Sequence, residues 1–183
     1  GIMSFYEEWA SIAEETNKPY DTLNLTEVAP DIIGNPEGST ELQEKYKDRI
    51  LGLLDKGVHV IVPAQRPNVA KGKASFADAV KAIAQVFDGD DPTAPTIKRP
   101  NFLVGVPSSA SVWSEDELIE YVSKEQDADR QTFRLHRLGA NDERVRKLGR
   151  ASDHVIVTGD LTADFINKAI TTDEGPKQKE ITQ

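Results

Sequence analysis

Apolar residues recur along the chain in two rhythms, one helical and one alternating or continuous, and the rhythms take turns. Phe5, Trp9, Ile12 and Ala13 fall at helical spacing, so residues 4–16 predict an amphipathic helix ended by Pro19. Residues 17–38 are rich in proline, glycine and asparagine and read as an irregular connection, with a short strand or turn around Leu23–Leu25. Thr40 and Gln43 have the spacing of a capping box, in which the two side chains satisfy open N–H groups at a helix start. Leu42, Tyr46, Ile50, Leu53 and Leu54 continue as one apolar stripe, and Gly57 suits the left-handed residue that closes such a helix. The β-branched run Val58-His59-Val60-Ile61-Val62 then reads as a central strand.

The same cycle repeats. Ser75 caps a helix whose stripe is Phe76, Val80, Ile83 and Phe87. Phe102–Val106 is a second strand. Ser114 and Glu117 form another capping box, with Trp113 and Leu118 at the flanking staple positions, and that helix runs to about Glu125. Thr132–Leu138 alternates apolar and basic residues, which predicts a strand with one solvent-facing side, an edge strand. Asn141 caps a short helix ending at Gly149. His154–Thr158 is the last strand, and Phe165, Ile166, Ala169 and Ile170 mark a last helix over 161–170.

Alternation of this kind predicts an α/β fold: a mainly parallel sheet of about four strands, or a mixed one, covered by helices in a single domain. The domain spans 1–171, with an acidic helical part at 4–56, and residues 172–183 lack any apolar pattern and read as a flexible tail. A length of 183 residues is enough for one substantial core.

Composition narrows the function classes. No apolar run approaches the roughly 20 residues needed to cross a bilayer. No secretion signal precedes the first helix, which makes the cytoplasm the default location. The absence of cysteine excludes disulfides, thiolate metal sites and a cysteine nucleophile. The three histidines never fall close together, and no cofactor motif is spelled out, so neither a metal nor a cofactor is expected.

Charge changes the picture more. The net charge is −9, and residues 1–48 hold eleven acids against three lysines. Residues 130–150 reverse the balance with Arg130, Arg134, Arg137, Arg144, Arg146, Lys147 and Arg150. This basic segment is one candidate surface, for an acidic protein partner rather than nucleic acid, because the overall charge is negative and Phe133 is its only aromatic residue. The bland alternative is internal neutralisation of nearby acids.

A second candidate lies at the strand ends, since ligands of open parallel sheets bind beyond the carboxyl ends of the strands. If the strands at 58–62, 102–106 and 154–158 lie side by side, Gln65, Arg66, Ser108, Ser109 and Asp160 converge on one rim. Lys71, Lys73 and Ser75 lie between a strand and a helix, where an anion could sit, although the glycine and hydroxyl pattern of a phosphate loop is missing. Two functions follow from these surfaces. The favoured one is a non-catalytic protein-binding or assembly module using complementary acidic and basic surfaces, through another protein or self-association. The alternative is an enzyme or sensor for a small phosphorylated or nucleotide-like ligand at the strand ends.

Overall fold

The computed structural model describes residues 3–4, 6–8, 11, 26–66, 74–89, 95–107, 113–124, 133–152 and 154–160. Five strands form one sheet: β1 (Thr26–Val28), β2 (His59–Pro63), β3 (Phe102–Val106), β4 (Phe133–Arg137) and β5 (Val155–Gly159). They are hydrogen-bonded in the order β1-β2-β3-β4-β5, and each neighbouring pair is parallel. The predicted α/β class therefore holds. Five strands are described against the expected four or so, and every described pairing is parallel, so the sheet is not mixed among the described residues. The added strand, β1, has three residues and little apolar pattern to announce it.

Helices α1 (Pro36–Lys45) and α2 (Lys47–Asp55) cross from β1 to β2. Helix α3 (Phe76–Asp88) and a 3-10 turn (Thr96–Lys98) lead to β3, α4 (Glu115–Lys124) leads to β4, and α5 (Asp142–Gly149) leads to β5. Right-handed crossovers that always step in the same direction put every crossover helix on the same face of the sheet. The core agrees. Ile50, Leu53 and Leu54 of α2, Phe76, Val80, Ile83 and Phe87 of α3, Leu118 and Val122 of α4 and Leu148 of α5 join one cluster. The alternate strand residues Val60, Val62, Phe102, Val104, Val106, Leu135 and Val155 complete it from the sheet side. The opposite face carries Ile61, Leu103, Gly105, His136, Ile156 and Thr158, by the same alternation.

Two sequence expectations need correction. Helix α1 begins at Pro36, with Asn35 as its cap accepting from the Gly38 N–H at 2.9 Å, not at Thr40. Proline is preorganised for the first helical position, and asparagine for the cap, so this pair overrides the later capping-box spacing. Gln43, the expected partner of that box, is fully buried. The caps expected at Ser75 and Asn141 are in place, accepting from Asp78 N–H and Arg144 N–H. At Ser114, the hydroxyl accepts from Glu117 N–H at 3.2 Å. Gly57 has φ of +91°, as a helix-closing glycine requires.

The second correction concerns β4, which lies inside the sheet between β3 and β5 rather than at its edge. Its polar residues looked solvent-facing. Instead, His136 and Arg137 are both buried and engaged by other side chains. Among the described strands, β1 and β5 are the sheet edges. The outer edge of β1 is partly closed, because the Tyr6 hydroxyl donates to the Val28 carbonyl at 3.1 Å. No described helix is long and apolar enough to cross a membrane. The expected helix at 161–170 and the tail at 172–183 lie outside the described residues.

Candidate functional site

All five strands end at one rim, and helices α3, α4 and α5 begin there. The sequence candidates meet different fates on it. At the end of β2, Gln65 is buried and both ends of its amide are occupied. Its Nε2 donates to Asp31, and its Oε1 accepts from Gly34 N–H at 3.1 Å. Gln65 thus ties down the loop after β1. Beside it, Trp113 Nε1 donates to the Ala64 carbonyl at 2.9 Å, and the Arg66 guanidinium stands 5.5 Å from the Trp113 ring centroid. The Ser75 hydroxyl is taken up by the cap of α3. Lys71, Lys73, Ser108 and Ser109 lie outside the described residues.

At the other end of the rim, Asp160 follows β5. One carboxylate oxygen sits 2.6 Å from His136 Nε2, and the other accepts from Gly139 N–H at 2.7 Å. The second ring nitrogen, His136 Nδ1, lies 2.8 Å from Thr158 Oγ1. Register explains the meeting: His136 and Thr158 are directly opposed on β4 and β5. Sequence reasoning singled out Asp160 but not His136, since strand partners cannot be read from one chain.

The strands are parallel as expected, and β2 and β3 are neighbours, but β5 is not beside them. β4 stands between β3 and β5, so β2 and β5 are three strand spacings apart. At about 4.8 Å per spacing, that separates Arg66 and Asp160 by about 14 Å at the backbone. The sequential strand order also lacks the reversal at which open sheets form a ligand crevice.

The basic segment divides as well. Arg137 is 2% exposed and cannot touch a partner, which corrects its place among partner-binding residues. It pairs with both carboxylate oxygens of Glu115, the first residue of α4, and also donates to the Arg144 carbonyl at 3.2 Å. Arg144 donates to the same carboxylate at 2.7 Å. Two guanidinium groups, Arg137 first and Arg144 after it, hold the Glu115 carboxyl down to a pKa of about 2. This network locks α4, β4 and α5 together. Arg134 is half-buried on the sheet face away from the helices, and Arg130 lies outside the described residues.

What remains outward-facing is one side of α5. Arg146, Lys147 and Arg150 are exposed. Arg146 pairs with Asp142 at 2.9 Å, while the charged groups of Lys147 and Arg150 have no partner among the described residues. With Asp142 and Glu143 they line an open concavity of about 300 Å³. A second, more apolar groove of about 360 Å³ runs between α3 and α4 over Phe76 and Tyr121, with Glu117, Glu120 and Lys124 at its rim.

At the opposite end of the helical layer, Glu37, Glu41, Glu44 and Asp48 are exposed and make no ion pair among the described residues. Their spacing places them along one side of α1 and the start of α2. That spacing is legible in the sequence, but the exposure of all four carboxylates is not. Helix contacts run α1 to α3, α3 to α4 and α4 to α5, so chain order becomes spatial order. No group of acids and histidines able to hold a metal ion occurs among the described residues. No family model matches the chain, and no curated protein or solved structure matches it significantly.

Proposed function

We propose that this protein is a non-catalytic protein-binding or assembly module that recognises other chains through complementary acidic and basic surfaces. The observation that carries this reading is the exposed basic side of α5, where Lys147 and Arg150 have no charge partner among the described residues although the chain as a whole is strongly acidic. A basic surface on an acidic molecule attracts acidic partners while the net charge repels most others, which favours selective, steered encounters. Nucleic acid is the weaker partner because the net charge of −9 opposes a phosphate backbone.

The test uses a labelled polyglutamate peptide and a duplex DNA of equal charge. Polyglutamate binding should weaken as salt rises and disappear in Lys147→Glu/Arg150→Glu. Salt-indifferent binding, or equal binding by that variant, defeats the reading.

A second reading, a sensor or enzyme for a small phosphorylated or nucleotide-like ligand, draws on His136 held between Thr158 and Asp160 at the rim. It requires that Arg66→Ala and Asp160→Ala each abolish nucleotide or phosphate binding in a folded protein. Unchanged binding in both variants excludes it. The separation of Arg66 from Asp160 across the sheet places it behind the first reading.

A further inference from the structure

The acidic and basic surfaces belong to one molecule and stand at opposite ends of its helical layer. Helix α2 packs on β2 and α1 packs against α3, whereas α5 packs on β5 at the far end of the strand order. The acidic stripe carries a local cost. Glu37 with Glu41, Glu41 with Glu44, and Glu44 with Asp48 repel at helical spacings of three or four residues. Lys45, the basic residue nearest them on α1, has its ammonium 5.4 Å from the Tyr46 ring centroid.

We propose that the acidic stripe Glu37, Glu41, Glu44 and Asp48 of one copy docks on Arg146, Lys147 and Arg150 of a second copy, head to tail. This rests on the reading of the protein as a charge-recognising module and names its partner as the protein itself. The argument is charge complementarity. Carboxylates in excess at one end face guanidinium and ammonium groups in excess at the other. Apposition of like ends would bring acid to acid or base to base. A two-fold dimer built on either end is therefore disfavoured, and the contact is heterologous. Each copy keeps one unused end, so association continues past the dimer into a closed ring or an open chain. The β1 edge is partly closed by Tyr6, so docking proceeds through helix surfaces rather than by adding a strand at that side.

The experiment is a charge swap followed by sedimentation of the full chain across protein and salt concentration. Wild type should show concentration-dependent mass beyond the dimer at low salt, reverting to monomer at high salt. Glu41→Lys/Glu44→Lys retains a basic α5 and loses the acidic stripe. Lys147→Glu/Arg150→Glu does the reverse. Each variant alone should associate at least tenfold more weakly than wild type, and an equimolar mixture should restore association. That rescue also shows that both variants are folded. A wild type that stays monomeric at low salt overturns the proposal, as does a mixture no more associated than its components. If wild type binds polyglutamate through α5 yet stays monomeric, self-docking fails while the charge-recognition reading stands. Loss of both removes the two together.

Discussion

Glu115→Gln isolates the charge at the junction of α4, β4 and α5 while keeping the side-chain shape. In the wild type, Arg137 is 2% exposed and its guanidinium depends on this carboxylate for two hydrogen bonds. The Glu115 carboxyl moves from an ordinary 4.5 to about 2. At about 1.4 kcal/mol per pKa unit, that shift corresponds to about 3 kcal/mol before screening. The Glu115 side chain is 32% exposed, so solvent screening reduces the figure to about 2 kcal/mol. Stranding a buried arginine argues for a similar or larger loss, about 3 kcal/mol. The expected cost at neutral pH is therefore about 2–3 kcal/mol, a large share of the roughly 5–15 kcal/mol typical of a folded domain.

The sign of the pH dependence follows from the depressed value. A carboxyl that is more acidic when folded stabilises the fold fully above its ordinary pKa of 4.5 and loses that advantage as pH falls toward about 2. Urea unfolding of wild type and Glu115→Gln should show a constant gap from about pH 5 to 8, narrowing below about pH 4, with unchanged m-values. A gap below about 1 kcal/mol at neutral pH, or one that does not narrow in acid, refutes the claim that this carboxylate holds the junction.

Other positions give independent tests. Gln43 is fully buried, and neither of its amide atoms has a hydrogen-bond partner among the described residues. Gln43→Leu should raise stability in urea by about 1–3 kcal/mol, and a loss would mean that the amide is satisfied in solution. A Cβ at Gly105 would lie 2.8 Å from Ile61 Cγ2 and 3.1 Å from the Pro63 Cα. Gly105→Ala should therefore lower the melting temperature, at a cost of about 1–3 kcal/mol, and a neutral result would show that β2 can move aside. Asn35→Ala removes the α1 cap and should cost about 1 kcal/mol, whereas Thr40→Ala should cost less. Burial raises the Glu27 pKa on edge strand β1. Folding there favours the protonated form, so stability falls as pH rises through the ordinary carboxylate range, and Glu27→Gln should flatten that fall.

The sequence determined the kinds of elements and the places of the strands β2 to β5 and the helices between them. The short valine-containing apolar runs at 58–62 and 102–106 read as strands, and apolar strands alternating with helices go with parallel sheets. Apolar stripes such as Phe76, Val80, Ile83 and Phe87 identified a helix and its apolar side, because helical periodicity is a local pattern. Caps at Ser75 and Asn141 were equally legible, since a cap acts within three residues. The charge split was also written in the chain.

Only the tertiary structure decided strand order, and strand order decided the site. Each parallel crossover can step either way along a sheet, and nothing local selects the direction. Because every step here goes the same way, β4 stands inside, His136 reaches Thr158 and Asp160, and Arg137 disappears behind Glu115. The same stepping separates Arg66 from Asp160 and carries the acidic and basic segments to opposite ends. A side chain's polarity is local information; whether that polarity meets water, a neighbouring carboxylate or another molecule is settled by pairings between residues distant in sequence.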